Sequence, residues 1–246
     1  MRRIATVVTV AALAMLGSCG GESTAQKATH ETHTAPRPLN ACTPAADPGW
    51  RTLPAKGIYG APAARLGSGD VAVVFANDSD NDACAWTREA QALVREGYAV
   101  AVFQASASEA RQALTVARAM RAAGAESVVL IGASVGARAV LQVGAMTPAG
   151  VSGLVALSAE RTVSTSPSDL LPQVRNIRLP VLSIGSRGDP LTRFGRDTPA
   201  FDRAFARGRL LLVSGKAHGV ELLHGRAGAR VHPAIRRFLE DVAPRG

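Results

Sequence analysis

The segment "LIGASVGARAV" (Leu130–Val140) decides the fold of this chain. The apolar run that leads into it predicts a strand, and the apolar residues that follow predict a buried helix. A sharp strand-to-helix turn crowds the positions two residues before and after its centre, and Gly132 and Gly136 occupy those positions. We therefore predict that Ser134 is a nucleophile presented on this turn, with the N–H of Val135 aimed at the same point as an oxyanion donor. The alternative is a small packing residue in a Gly- and Ala-rich chain.

Strands and helices alternate around this segment. Apolar runs without an inside–outside pattern predict strands that are buried on both faces of a mostly parallel sheet flanked by helices, and in such sheets sites form beyond the carboxyl ends of the strands. The predicted strands are 71–76, 98–104, 127–132, 151–159, 180–185 and 209–215. The predicted helices are 85–97, 106–124 (opened by a capping box of Ser106 and Glu109), 134–146 and 232–242.

A nucleophilic serine needs a base, and the base needs an acid to hold its tautomer. His218 follows a predicted strand by a few residues and is the favoured base, with His224 as the alternative; His232 is expected to start the last helix. Asp189 lies four residues past the glycine that ends the strand "PVLSIG" and is the favoured acid. Glu160, after the strand "LVALSA", is the alternative acid.

The turn at Ser134, followed by Asp189 and His218 after later strands, resembles the pattern of the α/β-hydrolase family over about residues 57–242. The resemblance implies an esterase, lipase or peptidase that works through an acyl-enzyme without metal or organic cofactor. Hydrolysis of a small carboxylic ester is the leading expectation, with peptide or amide cleavage next. The segment 161–179, where relatives insert lids, is short, so no large lid is expected.

One stretch departs from the family pattern. Many relatives have His-Gly after the first long strand, in a loop that supplies the second oxyanion donor, whereas this chain has Asn77-Asp78. The N–H of Asn77 or Asp78 is the expected donor here. The carboxylates of Asp78, Asp80 and Asp82 add negative charge, and they either face solvent or select cationic substrates.

The N-terminus predicts export. Arg2 and Arg3 precede an apolar run from Ile4 to Leu16 that is too short to span a bilayer but suits a secretory signal. The junction "LGSC" resembles a bacterial lipobox, which would be cleaved before a lipidated Cys19. We therefore predict a signal peptide at 1–18, a tether at 19–45 and a hydrolase domain at 46–246, anchored by lipid to the cell membrane outside the cytoplasm. Ordinary secretion and an uncleaved anchor are the alternatives.

Cysteine usage and charge complete the predictions. With Cys19 lipidated, Cys42 and Cys84 would be left as a pair in an oxidising compartment, which favours a disulfide. Aromatic residues make up only 4% of the chain, which argues against a nucleic-acid stacking platform. The net charge of +9 is spread along the chain, so we expect an ordinary basic surface, with weak contact to anionic lipid or envelope polymers as the alternative. A non-catalytic lipoprotein that binds such polymers is the rival functional class.

Overall fold

One mixed sheet organises the computed structural model, which describes residues 39–42, 49–57, 59–79, 81–105, 109–163 and 167–245. Within these ranges the strands are β1 (Arg51–Leu53), β2 (Ala63–Leu66), β3 (Val71–Ala76), β4 (Ala99–Phe103), β5 (Ser127–Ala133), β6 (Val151–Leu157), β7 (Val181–Ser186) and β8 (Gly208–Val213). The α-helices are α1 (Thr87–Arg95), α2 (Glu109–Ala122), α3 (Val135–Ala145), α4 (Leu171–Val174), α5 (Asp197–Asp202) and α6 (Gly225–Val242). Short 3₁₀ helices cover Leu39–Ala41, Ala83–Trp86 and Gly219–Leu223.

The strand order is β1-β2-β4-β3-β5-β6-β7-β8. All pairs from β4 to β8 are parallel, whereas β1 and β2 are antiparallel to each other and β2 is antiparallel to β4. The predicted mostly parallel sheet flanked by helices is therefore confirmed. The sequence did not indicate β1 and β2, because both are very short and each carries an arginine. Between β6 and β7, the described residues contain only the single-turn helix α4, in agreement with the absence of a large lid.

Both faces of the sheet are covered, and the side chains of β3 show how. Ala72, Val74 and Ala76 pack with residues of α2 and α3 on one face. Val73 and Phe75 pack with residues of α1 and α6 on the other, where Trp86 stacks on Phe75 with 4.5 Å between ring centroids. All six residues of β3 are buried, so a continuous apolar run is what this central position requires.

Helix α6 starts earlier than predicted. His232 does not begin the last helix; it lies inside α6, which starts at Gly225. Pro233 lacks an N–H, so it leaves one helical hydrogen bond unmade within α6. Packing compensates: Val231 is fully buried, and a Cβ on Gly228 would come within 2.5 Å of the Leu223 carbonyl.

Several predictions concern the N-terminal part of the chain. The signal peptide, the lipobox with Cys19 and most of the tether lie outside the described residues. Cys42 and Cys84 do lie within them, and their sulfur atoms are in disulfide geometry with the Cα atoms 5.1 Å apart. Within the described ranges, no helix combines the length and apolar character needed to cross a membrane.

A buried ion cluster joins α1 to α6. The carboxylate of Glu89, 8% exposed, pairs with the guanidinium of Arg236 and lies 3.2 Å from Nδ1 of His232. Arg236 also donates to Glu96 from Nη2 at 2.9 Å. Burial alone would lower the pKa of Arg236, but the two glutamates raise it above its ordinary value. The positive charge of the Arg236 guanidinium therefore stabilises the buried carboxylate of Glu89.

This cluster yields a stability prediction. Arg236→Met keeps the apolar stem of the side chain but removes the charge, and we expect it to lower the free energy of unfolding by about 3 kcal/mol, because Glu89 stays buried without its partner. Urea denaturation at neutral pH measures the change. Arg237→Met, on the exposed face of the same helix, is the matched control and should stay near wild type. Equal stabilities for the two variants would contradict the assignment.

Candidate functional site

The turn at Ser134 has the geometry predicted for a strand-to-helix elbow. Ser134 lies between the last residue of β5 and the first residue of α3, with φ 51° and ψ −114°. A positive φ is strained for a serine and persists only where the surroundings enforce it. The residue is 3% exposed, and its main-chain N–H donates to the carbonyl of Leu157 on β6.

Steric crowding explains both flanking glycines. A Cβ on Gly132 would come within 2.2 Å of the Gly136 carbonyl oxygen. A Cβ on Gly136 would come within 2.4 Å of the Ala76 oxygen and 2.6 Å of the Asn77 oxygen. The predicted requirement for glycine at these two positions is confirmed, and the second contact shows that the chain after β3 passes directly against the start of α3.

His218 follows β8 and precedes the short helix Gly219–Leu223. Its main-chain N–H donates to Oε2 of Glu221 at 3.2 Å, which fixes the start of that helix. Gly219 has φ 54°, and a Cβ there would come within 2.6 Å of Oδ2 of Asp78. The loop that carries the imidazole therefore touches the loop after β3.

Asp189 contacts this imidazole. Its Oδ2 lies 2.8 Å from Nδ1 of His218, and its Oδ1 accepts a hydrogen bond of 3.0 Å from the N–H of Leu191. Burial raises the pKa of Asp189, whose side chain is 0% exposed, but the hydrogen bonds from His218 and Leu191 outweigh it and lower the pKa. An ionised carboxylate can only accept, so the ring proton resides on Nδ1 and leaves Nε2 as the acceptor.

Glu160 lies between Ser134 and His218. The hydroxyl of Ser134 donates to Oε1 of Glu160 at 3.1 Å, and the same oxygen lies 3.8 Å from Nε2 of His218. Nε2 is buried without a hydrogen-bond partner in the described part of the chain. From the sequence, Glu160 is the alternative acid and would contact Nδ1 of His218. In the structure its carboxylate instead lies nearer to Nε2, and Asp189 contacts Nδ1.

The turn that carries Glu160 is fixed by a buried arginine. Arg138, on α3 and 4% exposed, donates from Nη1 to the carbonyls of Glu160 and Arg161 at 2.7 and 2.6 Å. Burial raises the pKa of Glu160, and the opposing effects of the Ser134 hydroxyl, the imidazole and Arg138 do not cancel that rise. Ser158, which precedes the turn, has φ 53°.

The pKa of His218 is raised. Burial on its own lowers it, but the hydrogen bond and charge of Asp189 and the charges of Glu160 and Asp78 outweigh the burial. The imidazole therefore takes up a proton more readily than a free histidine does.

The loop predicted to complete an oxyanion hole lies beside the elbow. Val135 is the first residue of α3, so its N–H has no acceptor within the helix. The Asn77 amide donates to the carbonyls of Asp78 and Asn81 at 3.0 and 2.8 Å, which closes the loop. The Asp78 carboxylate is buried, with Oδ1 accepting from Asn81 at 2.8 Å and Oδ2 facing the N–H of Val220 at 3.4 Å. The oxyanion roles of these N–H groups stay predictions.

Asp80 and Asp82 are the two other acids of this stretch. Asp82 is also buried and caps the 3₁₀ helix Ala83–Trp86 by accepting from the N–H of Cys84 at 2.9 Å. Asp80 lies outside the described residues.

Glu109 is a residue whose environment the sequence did not reveal. We expected it to close a capping box with Ser106, which lies outside the described residues. In the structure Glu109 begins α2, and burial, followed by the charge of Asp78, raises its pKa to about 8. Its Oε1 is buried without a hydrogen-bond partner in the described chain. The sequence pattern at the start of the helix did not indicate that this carboxyl group is buried, since a glutamate in a capping box is usually solvated.

The remaining candidate histidines lie elsewhere. His224 links the short helix Gly219–Leu223 to α6. His232 has its Nε2 2.9 Å from the Leu223 carbonyl and belongs to the ion cluster of Glu89. Among the residues that the structure describes, no group of three or more His, Cys, Asp or Glu side chains is arranged to bind a metal ion.

Comparison with known proteins gives structural likeness only. No family model and no curated protein matches the chain. The monoacylglycerol lipase of Paleococcus ferrophilus is 14% identical, with a TM-score of 0.61 over 74% of this chain and 99% of that chain. The Pyrococcus furiosus esterase Pf2001 is 14% identical, with a TM-score of 0.60 over 74% of this chain and 86% of that chain.

A third solved structure carries the fold name. MGS-MChE2, an α/β-hydrolase enzyme from a sediment metagenome of the Mar Chica lagoon in Morocco, is 15% identical, with a TM-score of 0.59 over 76% of this chain and 96% of that chain. Together with the sheet order and the helices on both of its faces, these likenesses show that the chain has the α/β-hydrolase fold.

Proposed function

We propose that the protein is a serine hydrolase that cleaves small carboxylic esters outside the cytoplasm. The observation that carries the proposal is the contact between Asp189 and His218 beside the strained turn of Ser134. A packing serine needs neither a positive φ nor a neighbouring imidazole whose tautomer is set by a buried carboxylate. The ester and lipase activities named for the structural neighbours support an ester as the substrate.

The proposed reaction has two halves. Oγ of Ser134 attacks the ester carbonyl and passes its proton to Nε2 of His218; the tetrahedral intermediate collapses as the C–O bond to the alcohol breaks and Nε2 returns the proton to the leaving oxygen. Water then attacks the acyl-enzyme by the same route and releases the acid. Asp189 orients the imidazole and stabilises its charged form, and the N–H of Val135, with that of Asn77 or Asp78, binds the oxyanion.

The hydroxyl of Ser134 must turn for this reaction to begin. It donates to Glu160 in the structure rather than to His218, although Nε2 lies only 3.8 Å from the same Glu160 oxygen. Side-chain rotation of a serine is fast compared with catalysis, so this arrangement fits a resting state.

The hydrogen bond from Ser134 to Glu160 is also the observation that favours the rival function, a non-catalytic lipoprotein that binds envelope polymers. Peptide or amide cleavage by the same groups is the other alternative.

The proposed location rests on the N-terminal pattern and the cysteine pair. A disulfide between Cys42 and Cys84 suits an oxidising compartment, which supports export. We propose that Cys19 carries lipid and that residues from 19 onward tether the hydrolase domain to the outer side of the cell membrane.

Labelling tests the catalytic proposal. A fluorophosphonate probe should label the wild-type protein, and Ser134→Ala should abolish this label. The same substitution should lower the rate of p-nitrophenyl ester hydrolysis by about a thousandfold or more. Ser68→Ala removes an exposed hydroxyl between β2 and β3 and should keep both activities. A folded wild-type protein that takes no label would favour the binding function instead.

The raised pKa of His218 predicts the pH dependence. The imidazole must be neutral to accept the Ser134 proton, so kcat/KM should fall as pH drops through a midpoint above the ordinary histidine value of 6.5. In Glu160→Gln the midpoint should move down, because one carboxylate that favours the imidazolium is gone while Asp189 and Asp78 remain. Rates of ester hydrolysis across the neutral range measure both midpoints. A kcat/KM that stays constant across the acidic and neutral range contradicts the assignment of His218 as the base, whereas a midpoint at or below 6.5 contradicts only its raised pKa.

Metabolic labelling tests the anchor. In a bacterial host fed an alkyne analogue of palmitate, the wild-type chain should carry the label and sediment with membranes. Cys19→Ser should lose the label, because the thioether to the lipid can no longer form. Cys42→Ser, which leaves the lipobox intact, is the control and should remain labelled. An unlabelled wild-type chain would exclude lipidation at Cys19.

A further inference from the structure

We infer that the site selects esters whose alcohol part carries a positive charge, and that Glu160 is the residue that recognises this charge. The inference rests on the proposed function and narrows its substrate class.

Glu160 lies on the leaving-group side of the site. In the proposed reaction Nε2 of His218 returns its proton to the leaving oxygen, so that oxygen must come within hydrogen-bonding distance of Nε2. Oε1 of Glu160 is 3.8 Å from the same nitrogen and 3.1 Å from Oγ of Ser134. A group attached to the leaving oxygen therefore passes next to the carboxylate. The Glu160 side chain is 13% exposed, so a ligand can reach it from solvent.

Negative charge at the site is incompletely balanced. Among the described residues, the ion pairs that Glu160 and Asp189 make at the site are both with His218. The nearby arginines are engaged elsewhere: Arg161 pairs with Asp169, and Arg193 pairs with Asp197. Arg138 donates to main-chain carbonyls, and its charge is among the smaller influences on the pKa of Glu160.

A carboxylate that is largely buried without a cation beside it lowers the stability of the folded protein. The cost is visible in the pKa of Glu160, which burial raises above its ordinary value. A cationic ligand would offset this cost on binding. Groups whose unfavourable environment is relieved by a ligand are typical of binding sites.

The contact with Ser134 links recognition to reactivity. Without a ligand, Oε1 of Glu160 accepts a hydrogen bond from the Ser134 hydroxyl, which must instead donate to Nε2 of His218 for the reaction to begin. A bound ammonium group would attract Oε1 and weaken that hydrogen bond, leaving the hydroxyl to turn toward Nε2. A charged alcohol part would thus both hold the ester in place and free the nucleophile, whereas an uncharged ester does neither.

Two esters of equal shape test the inference. The acetate of 2-(trimethylammonio)ethanol carries a positive charge, and 3,3-dimethylbutyl acetate has carbon in place of the nitrogen. We expect wild-type kcat/KM for the charged ester to exceed that for the uncharged one by about tenfold or more, as for other contacts to a charged group. Glu160→Gln should bring the ratio close to one. Glu160→Asp keeps the charge and should retain the preference.

Glu240→Gln is the matched control, because it makes the same change of charge at an exposed position of α6, and it should keep the wild-type ratio. Fluorophosphonate labelling of each variant verifies that Ser134 is still presented. A wild-type ratio at or below one, or the same ratio in wild type and Glu160→Gln, overturns the inference while leaving ester hydrolysis intact. Failure of the proposed function looks different: neither ester is hydrolysed and the wild-type protein takes no label.

Discussion

The close approach between the start of α3 and the end of β3 is the constraint on which the site depends. Main-chain atoms of Ala76 and Asn77 lie where a Cβ of Gly136 would be, and main-chain atoms of Gly136 lie where a Cβ of Gly132 would be. Only glycine permits this packing, and the packing in turn forces Ser134 into its positive φ. It also brings the N–H of Val135 next to the loop that begins at Asn77. One steric condition therefore positions the proposed nucleophile and the proposed oxyanion donors together.

The parallel sheet supplies the remaining groups, but turn geometry decides their roles. Asp189 and Glu160 both follow strands at the same edge, and both carboxylates approach the imidazole of His218. Asp189 reaches Nδ1 from a turn held by the N–H of Leu191, whereas Glu160 is directed to Nε2 by a turn tied to Arg138. Two acids at equivalent places in the fold thus act on opposite ring nitrogens, and only one of them can set the tautomer.

Structural features that depend on a sequence pattern could be predicted, whereas features that depend on local geometry could not. Continuous apolar runs are sufficient for the parallel strands, and the glycines around Ser134 are sufficient for the elbow, since each follows from one physical requirement. Strands β1 and β2 are too short to show a period. The start of α6 was misplaced at His232 because Pro233 resembles a helix start, while the buried Val231 that extends the helix carries no boundary signal. Nothing in the sequence indicates that the Ser134 hydroxyl turns to Glu160, because that depends on the positive φ of Ser158 and on the guanidinium of Arg138.

The net charge of the protein acts over a long distance, whereas the charges at the site act over a short one. The whole chain has a net charge of +9, and removal of the proposed signal peptide with Arg2 and Arg3 would leave 26 − 19 = +7, a charge that favours approach to anionic surfaces over long range. At physiological ionic strength the field of that charge decays over about 8 Å, so a ligand inside the cleft responds to the nearest charges instead. There the nearest charges include the carboxylates of Glu160 and Asp78, and both act on the imidazole of His218. For the hydrolase proposed above, the overall charge would favour approach to anionic surfaces, whereas the carboxylate of Glu160 would bind a cationic ester at the point of reaction. Long-range attraction to a surface and selectivity at the site would then depend on charges of opposite sign.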